Sequence, residues 1–416
     1  MSATLLYHML GVRGYRLVKE KKVAGGMEFH IALDRGRVCC PDCGSANVWL
    51  KGGTERDFRS VPIGSKKTKI VLEVPRVHCH DCQCKKQVSI SFAKPNKRYT
   101  RFLEHHVLDL LLHMTCKDVA NHLGPPYKKH RWDTVRDIEK TRLKRDFAKP
   151  PLKDVTHIAI DEIAVQKGHK YLTVVMDLKS GRVIFVGDGK GGDALLPFWK
   201  RLRRSRAKII AVCTDMSPAY TKAVETHLPV LLRWWHYVFH VFDRFHVMKL
   251  FNEKMTELRR RLYRESTDKE QKASLKGIRF TLLKREENMN VPKGEHEKLE
   301  KALSLNADLS VAYTLKGQLV ELWETDDEDE ALNILADWIA DAEWSEIPKM
   351  LDFVKTLRKH YLKILNYHYC EITSGPLEGL NNKIKTLKRQ SYGFRDQEYF
   401  KLKILAIHRA RYTFVG

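Results

Sequence analysis

The stretch 155–226 limits the fold more than any other. Three short segments rich in β-branched and aromatic residues, 155–165, 171–178 and 182–186, are separated by Gly168 and by Lys179-Ser180-Gly181. This is the pattern of an antiparallel meander. Residues 193–204 then read as a helix, 207–214 as a continuous apolar strand ending in Asp215, and 217 to about 226 as a second helix. Such alternation calls for a central mixed sheet. In the first strand Ile158 and Ile160 take one face, and Ala159 and Asp161 the other. Asp161 therefore stands in an apolar run, where an unpaired carboxylate is costly and a cation would neutralise it. Asp215 closes a buried strand, where ligand sites of open α/β sheets gather. Either aspartate alone also reads as a turn cap or an ion-pair partner. Asp177, Asp188 and Asp193 rank below them, with Asp177 the nearest substitute.

A third carboxylate lies near the C-terminus. Residues 374–389 read as one amphipathic helix that Thr373 or Ser374 caps, with Pro376 in the first turn and Leu377, Leu380, Ile384 and Leu387 on the buried face. The opposite face stacks Glu378 over Asn382, Lys385 and Arg389, with Lys388 beside them: a carboxylate above a basic stripe suited to phosphate. A solvated face on a core helix would look the same. Asp161 and Asp215 are 54 positions apart, whereas Asp215 and Glu378 are 163 apart, too far for one connection inside a compact sheet. Something is inserted. Residues 247–370 are mostly helical by pattern, with 321–346 holding eleven acidic and no basic residues. That block reads either as a solvated surface or as an electrostatic partner for a basic face.

The N-terminal third has a different character. Residues 1–35 carry only a weak strand-and-turn reading. Cys39-Cys40-Pro41-Asp42-Cys43 is followed by Cys79-His80-Asp81-Cys82, two knuckles able to collect a tetrahedral zinc in a small β-rich module. Cys40, Cys43, Cys79 and Cys82 are the expected ligands, with Cys39, Cys84, His78 and His80 as alternatives. Filled by four protein ligands, such a zinc is structural. Residues 100–145 read as helices resembling a helix-turn-helix. Its second member, 132–145, would bury Trp132, Val135 and Ile138 and offer Arg131, Arg136 and Lys140 to DNA, although the 124–130 connection is longer than the usual tight turn. Prolines at 150 and 151 mark a linker.

Charge agrees with a nucleic-acid partner. The chain has 75 Lys+Arg against 51 Asp+Glu, a net charge of +24, of which 30 Lys+Arg and 15 Asp+Glu fall in residues 1–150. No apolar run is long enough to span a bilayer, and residues 1–11 show no charged leader or cleavage site, so a reducing cytoplasm is the expected setting.

The succession Ala159-Ile160-Asp161-Glu162, Cys213-Thr214-Asp215-Met216-Ser217, Phe242-Asp243-Arg244-Phe245-His246 and Thr373-Ser374-Gly375-Pro376-Leu377-Glu378-Gly379-Leu380-Asn381-Asn382 resembles the bacterial insertion-sequence transposases of the ISL-three family. The cysteine knuckles and helix-turn-helix follow that family's order, and the resemblance covers residues 37–412. It implies a ribonuclease-H-like core with an Asp-Asp-Glu metal triad at Asp161, Asp215 and Glu378, and Asp243 and His246 as further catalytic residues near them. Lys385 matches the basic residue that often follows the glutamate. The expected fold is multidomain α+β: a β-rich zinc module (1–95), a helix-turn-helix (96–148) and a ribonuclease-H-like α/β core (149–250 and 371–416) interrupted by an all-helical insertion (251–370).

Three carboxylates from two strands and one helix supply hard oxygen ligands for two Mg²⁺ or Mn²⁺ ions. At about 3.5–4 Å apart, one ion would activate water or a DNA 3′-hydroxyl and the other would stabilise the leaving oxygen. The expected activity is cleavage of double-stranded DNA at terminal inverted repeats and joining of the ends to target DNA, by a homodimer or larger assembly. A transposase-derived DNA-binding regulator, or a nuclease that cuts without joining, shares parts of this pattern. None of the 15 tyrosines stands in a comparable nucleophilic constellation.

Overall fold

The computed structural model describes residues 3–124, 131–166, 168, 170–228, 238–284 and 286–408. It divides into two compact units, the described residues of Met1–Ala148 with Gln390–Arg395, and those of Lys149–Arg389 with Asp396–His408.

The first unit opens with a helix, α1 (Ala3–Leu10), where the sequence suggested strand and turn. Leu6 and Leu10, one helical turn apart, are fully buried against the sheet. Gly11 ends the helix with φ +69°, its N–H donating to the Tyr7 carbonyl at 2.8 Å. The Phe102 ring packs where a Cβ on Gly11 would lie. Strands β1 (Tyr15–Val23), β2 (Gly26–Leu33), β3 (Val48–Ile63), β4 (Lys66–Cys79) and β5 (Lys85–Gln87) form one sheet in the order β1-β2-β4-β3, with β5 also on β4. The β3–β4 hairpin turns at Gly64, φ +60°, a conformation two-residue hairpin loops favour. Phe29, Phe58, Ile70, Leu72 and Val77 form its core.

Helices α2 (Arg101–Leu110), α3 (Cys116–His122) and α4 (Arg131–Phe147) share a second small core of Leu103, Val107, Val119, Val135 and Ile138. Thr100 caps α2 as its sequence predicts, and Thr115 with Asp118 forms a capping box on α3. Arg59 ties β3 to these helices by donating to the carbonyls of Leu123 and Gly124.

In the second unit β6 (His157–Gln166), β7 (Lys170–Asp177) and β8 (Val183–Asp188) are the expected antiparallel meander. Helix α5 (Leu196–Ser205), strand β9 (Ala211–Thr214), helix α6 (Pro218–His227) and strand β10 (Phe239–Phe242) follow. The sheet order is β10-β9-β6-β7-β8, with β10 and β9 parallel to β6. This is the mixed sheet of a ribonuclease-H-like core. Strand β9 is shorter than the apolar run suggested, because 207–210 alternate between half-buried and exposed before pairing begins. Ile158, Ile160, Val175, Ile184 and Val212 pack on Phe198, Trp199 and Tyr220.

Helix α7 (Arg244–Glu265) leaves β10 directly. It opens a helical body of α8 (Lys269–Leu275), α9 (Arg279–Leu283), α10 (Glu295–Ser304), α11 (Ala307–Glu321), α12 (Glu328–Trp344) and α13 (Pro348–Cys370). Its core centres on Phe251, Trp338 and Phe353, whose rings meet edge to face at 5.3–6.0 Å. The Trp338 indole N–H donates to the Leu315 carbonyl at 2.7 Å, so burial leaves it satisfied. Helices α14 (Gly375–Gln390) and α15 (Gln397–Leu405) complete the unit.

Candidate functional site

The parallel pairing of β6 with β9 sets Ala159 opposite Cys213. Two residues further along each strand, where side chains return to the same face, come Asp161 in the middle of β6 and Asp215 just past the end of β9. Asp161 Oδ1 accepts from the Glu162 amide at 2.7 Å, and Asp215 Oδ1 from the Ser217 amide at 3.0 Å. Burial pushes both carboxyls above the usual carboxylate range. At Asp161 the Glu162 amide, the Asn381 side chain and His246 oppose that rise, while Asp215 adds to it. At Asp215 the Ser217 amide, His246 and Lys249 oppose it, while Glu162 adds to it. On β9 the buried Cys213 thiol is raised by burial first and then by the charges of Asp243, Asp161 and Asp215.

Helix α14 meets this point through Asn381, whose Nδ2 donates to Asp161 Oδ2 at 2.7 Å. Glu378 lies one turn earlier on the same helix and is exposed, and Leu377, Leu380 and Ile384 are buried as their spacing predicts. The face stacks differently from the sequence reading in one respect. Asn381, half-buried, faces Asp161, whereas Asn382, which the helical wheel put above Glu378, is exposed. Positions three and four along a helix flank the same face, so the wheel cannot choose between them. Lys385 and Arg389 are exposed and Lys388 half-buried on the outer part of α14.

The start of α14 is held by Asp243. Ser374 accepts the first helical bonds, from the amides of Leu377 at 2.7 Å and Glu378 at 3.1 Å. Its own N–H donates to Asp243 Oδ1 at 3.1 Å. Asp243 is 3% exposed at the end of β10, its amide donates to the Thr214 carbonyl at 3.1 Å, and its Oδ2 is buried without a hydrogen-bond partner among the described residues. One residue thus links the end of β9 through its amide and the helix of Glu378 through its carboxylate, from the end of β10. Nearby, His240 is buried with Nε2 2.8 Å from Thr214 Oγ1, and burial, with Lys363 and His360, lowers its pKa to about 3, so it is neutral. Asp161, Asp215 and Glu378 are not drawn to within 4.8 Å of one another, the spacing reached by the cysteine cluster among the described residues. The lower-ranked aspartates have local roles. Asp177 accepts from Ser180 Oγ and the Lys179 amide in the β7–β8 turn, and Asp188 pairs with Lys401.

In the first unit Cys40, Cys43, Cys79 and Cys82 bring their Sγ atoms within 4.8 Å of one another, with Cys40–Cys82 at 3.5 Å and Cys43–Cys79 at 3.6 Å. A zinc tetrahedron with Zn–S near 2.3 Å has S–S edges of about 3.8 Å. The set fits a structural zinc. Backbone N–H groups at Cys43 and Asp42 help hold the Cys40 thiol down to about 6, favouring the thiolate a zinc requires. Cys84 lies 3.2 Å from Cys40 as a fifth sulfur. His78 and His80 stack on each other with centroids 5.9 Å apart, and His78 meets the Gln83 side chain.

On α4, Val135 and Ile138 are buried as expected, but Trp132 is 44% exposed and lies under the Arg136 guanidinium. The buried face of α4 runs through Val135, Ile138 and Leu143, which leaves Trp132 beside it rather than on it. Arg136 also pairs with Asp133 and Asp137, and Lys140 is half-buried. The Arg131 side chain and connection 125–130 lie outside the described residues, as do Trp234 and Trp235. Among the described residues no helix is long and apolar enough to cross a membrane.

Asp161 in the middle of β6 and Asp215 just past the end of β9 thus belong to adjacent parallel strands, behind a cysteine-rich, helix-bearing unit in the chain. Comparison with known families identifies the class as DNA transposases. The model described as "Transposase" of the ISL3 group matches residues 158–404. The "zinc-finger of transposase IS204/IS1001/IS1096/IS1165" matches 36–82, and the "Helix-turn-helix domain of transposase family ISL3" matches 88–124. The chain belongs to the ISL3 transposase family. The helix-turn-helix match encloses α2 and α3, so α4, expected as the recognition helix, lies beyond it. Among curated relatives, the transposase for insertion sequence element IS1001 of Bordetella parapertussis is 29% identical over 374 residues, 88% of each chain. That for IS1557 of Mycobacterium tuberculosis is 26% identical over 404 residues, 91% of this chain and 87% of the relative. A solved structure, the Drosophila P element transposase strand transfer complex, aligns over 74% of this chain and 98% of that one at 10% identity and TM-score 0.34.

Proposed function

We propose that this transposase cleaves double-stranded DNA at the terminal inverted repeats of its element and joins the 3′-hydroxyl ends to target DNA, with Asp161, Asp215 and Glu378 as the ligands of two Mg²⁺ or Mn²⁺ ions. The observation that carries the reading is the Asn381–Asp161 hydrogen bond, which brings the Glu378 helix onto the middle of β6, whose parallel neighbour β9 runs directly into Asp215. The donor set fits hard divalent cations: two half-buried carboxylates whose charge is costly as they stand, and a third on an exposed helical face. When bound, such a pair of ions activates the attacking oxygen and stabilises the leaving one.

The remaining work falls to the chain. Amides of Glu162 and Ser217 fix one oxygen of each aspartate, and Asn381 fixes the second oxygen of Asp161. Lys249 places positive charge near Asp215, and the His246 ring lies near both aspartates, where the two can orient a phosphate. Asp243 acts through α14, holding the amide that starts the helix. Lys385, Lys388 and Arg389 extend a basic track for the DNA backbone along that helix. Two element ends must be processed together, so the working species is a homodimer or larger assembly.

End-labelled duplexes carrying the flanking repeats test this. In Mg²⁺ or Mn²⁺, wild type should cut at the repeat boundary and leave a 3′-hydroxyl. Asp161→Asn, Asp215→Asn and Glu378→Gln should each bind the repeat but lose cleavage by at least a thousandfold. Full activity in any one removes that residue from the set, and tight binding without cutting by wild type would point to a regulator.

A further inference from the structure

The zinc module carries an outward face that neither the zinc nor the core explains. Strand β3 is a sheet edge, and its first residues pair through Trp49 with His78 of β4, which pairs in turn with Lys85 of β5. Directly opposed residues of an antiparallel sheet project on one face, so Trp49, His78 and Lys85 form a row across three strands. Trp49 is 63% exposed, a large apolar area to leave in water. Its ring lies 6.2 Å from that of His80, which stacks on His78 at 5.9 Å, making a shelf of three rings. Lys51 holds its ammonium 5.9 Å above the Trp49 ring. Arg76, two residues before His78, and Lys85 are exposed. The nearest strand carboxylates, Glu55 and Glu73, lie beyond the register shift between Leu50 and Gly53, and Asp81 is engaged by the Asn47 side chain.

We propose that this face is a DNA-contact surface separate from the helix-turn-helix, with Trp49 packing on a sugar or base edge of the repeat and Lys51, Arg76 and Lys85 meeting phosphates. Charge complementarity selects the occupant. Cations flank an exposed aromatic with no carboxylate in the same rows, the composition that polyanion recognition uses and that an acidic-and-apolar protein interface does not require. The strong basic excess of residues 1–150 surrounds it with a field of the same sign. The inference rests on the proposed binding of terminal repeats, and adds a second grip to it.

Full-length protein and repeat duplex are titrated at several salt concentrations, with zinc content and melting temperature measured for each variant. Trp49→Ala should weaken binding roughly tenfold with the salt slope unchanged, because it removes contact area and no charge. Lys51→Ala, Arg76→Ala and Lys85→Ala combined should lower the slope of log K against log salt by about 2–3, close to one per phosphate contact. Zinc content and melting temperature should match wild type in both. If wild type binds the repeat and both variants bind it equally well, the face is not a DNA surface and the binding reading stands. If wild type fails to bind the repeat, both fall together. Loss of self-association in Trp49→Ala, with DNA affinity per protomer intact, would overturn the proposal in favour of a second copy at this edge.

Discussion

Replacing Asn381 by alanine isolates how the Glu378 helix is placed. The change deletes one 2.7 Å hydrogen bond to Asp161. A hydrogen bond to a charged group contributes about 1.5–3 kcal/mol. Two effects offset that loss in the folded state. Asn381 Oδ1 is buried without a hydrogen-bond partner among the described residues, a liability of about 1–3 kcal/mol that alanine removes. Alanine is also the better residue inside α14, by up to about 0.7 kcal/mol. The terms nearly cancel, so the melting temperature should move by no more than a few degrees. Catalysis has no such compensation, since the deleted bond is the one that ties the Glu378 helix to Asp161 itself. If it is fully used in the transition state, single-turnover cleavage under saturating protein should fall by about tenfold to a hundredfold, with repeat affinity unchanged. An unchanged cleavage rate would refute the positioning argument. A fall in melting temperature of more than about 8 °C would show instead that the contact is mainly structural.

Two further outcomes follow from the same geometry. Burial raises the Asp161 and Asp215 pKa values above the ordinary 3.8, so over that window the folded chain holds protons that the unfolded chain has released. Stability therefore falls as pH rises through and above 3.8, and Asp215→Asn, without added divalent cation, should melt higher than wild type at pH 7 and level with it at pH 3. A lower melting temperature for the variant at pH 7 would contradict the sign. Stripping zinc with a chelator, or Cys79→Ser, should loosen the first unit and abolish repeat binding, since Cys79 is fully buried and its strand is shared with the core; proteolysis confined to the first unit would be the readout, and resistance equal to wild type would argue against a structural metal.

What the sequence disclosed was local and periodic. Alternation in 155–165 placed Asp161 on a strand face, the apolar spacing of Leu377, Leu380 and Ile384 oriented α14, and paired Cys-x-x-Cys motifs marked four sulfurs that the fold does gather. What it withheld depended on partners far along the chain. Asn381 reaches Asp161 across 220 residues and Asp243 reaches the Ser374 amide across 131, and no periodicity encodes such pairings. Trp132 failed for a related reason: its apolar ring suggested a core position, but the tertiary face of α4 runs through Val135 and Ile138 and leaves the indole to Arg136. The short N-terminal helix escaped because seven or eight residues rarely form a stable helix unaided. It exists through Leu6 and Leu10 sinking into a sheet that the local sequence does not reveal.

Asp243 shows why this division matters for function. Read as part of an Asp-x-x-His pattern, it belongs with the catalytic residues. From its place in the fold we propose a positioning role for it instead. One oxygen accepts the Ser374 amide, its own amide closes onto Thr214, and the exposure left to it is 3%. A carboxylate so enclosed has little room to meet DNA. With its amide on Thr214 and its carboxylate on Ser374, the residue does bind together the end of β9 and the helix bearing Glu378, two parts separated by the whole helical insertion. The bond it makes sits at the Ser374 amide, between the end of α13 and the first turn of α14, so it fixes where the Glu378 helix begins.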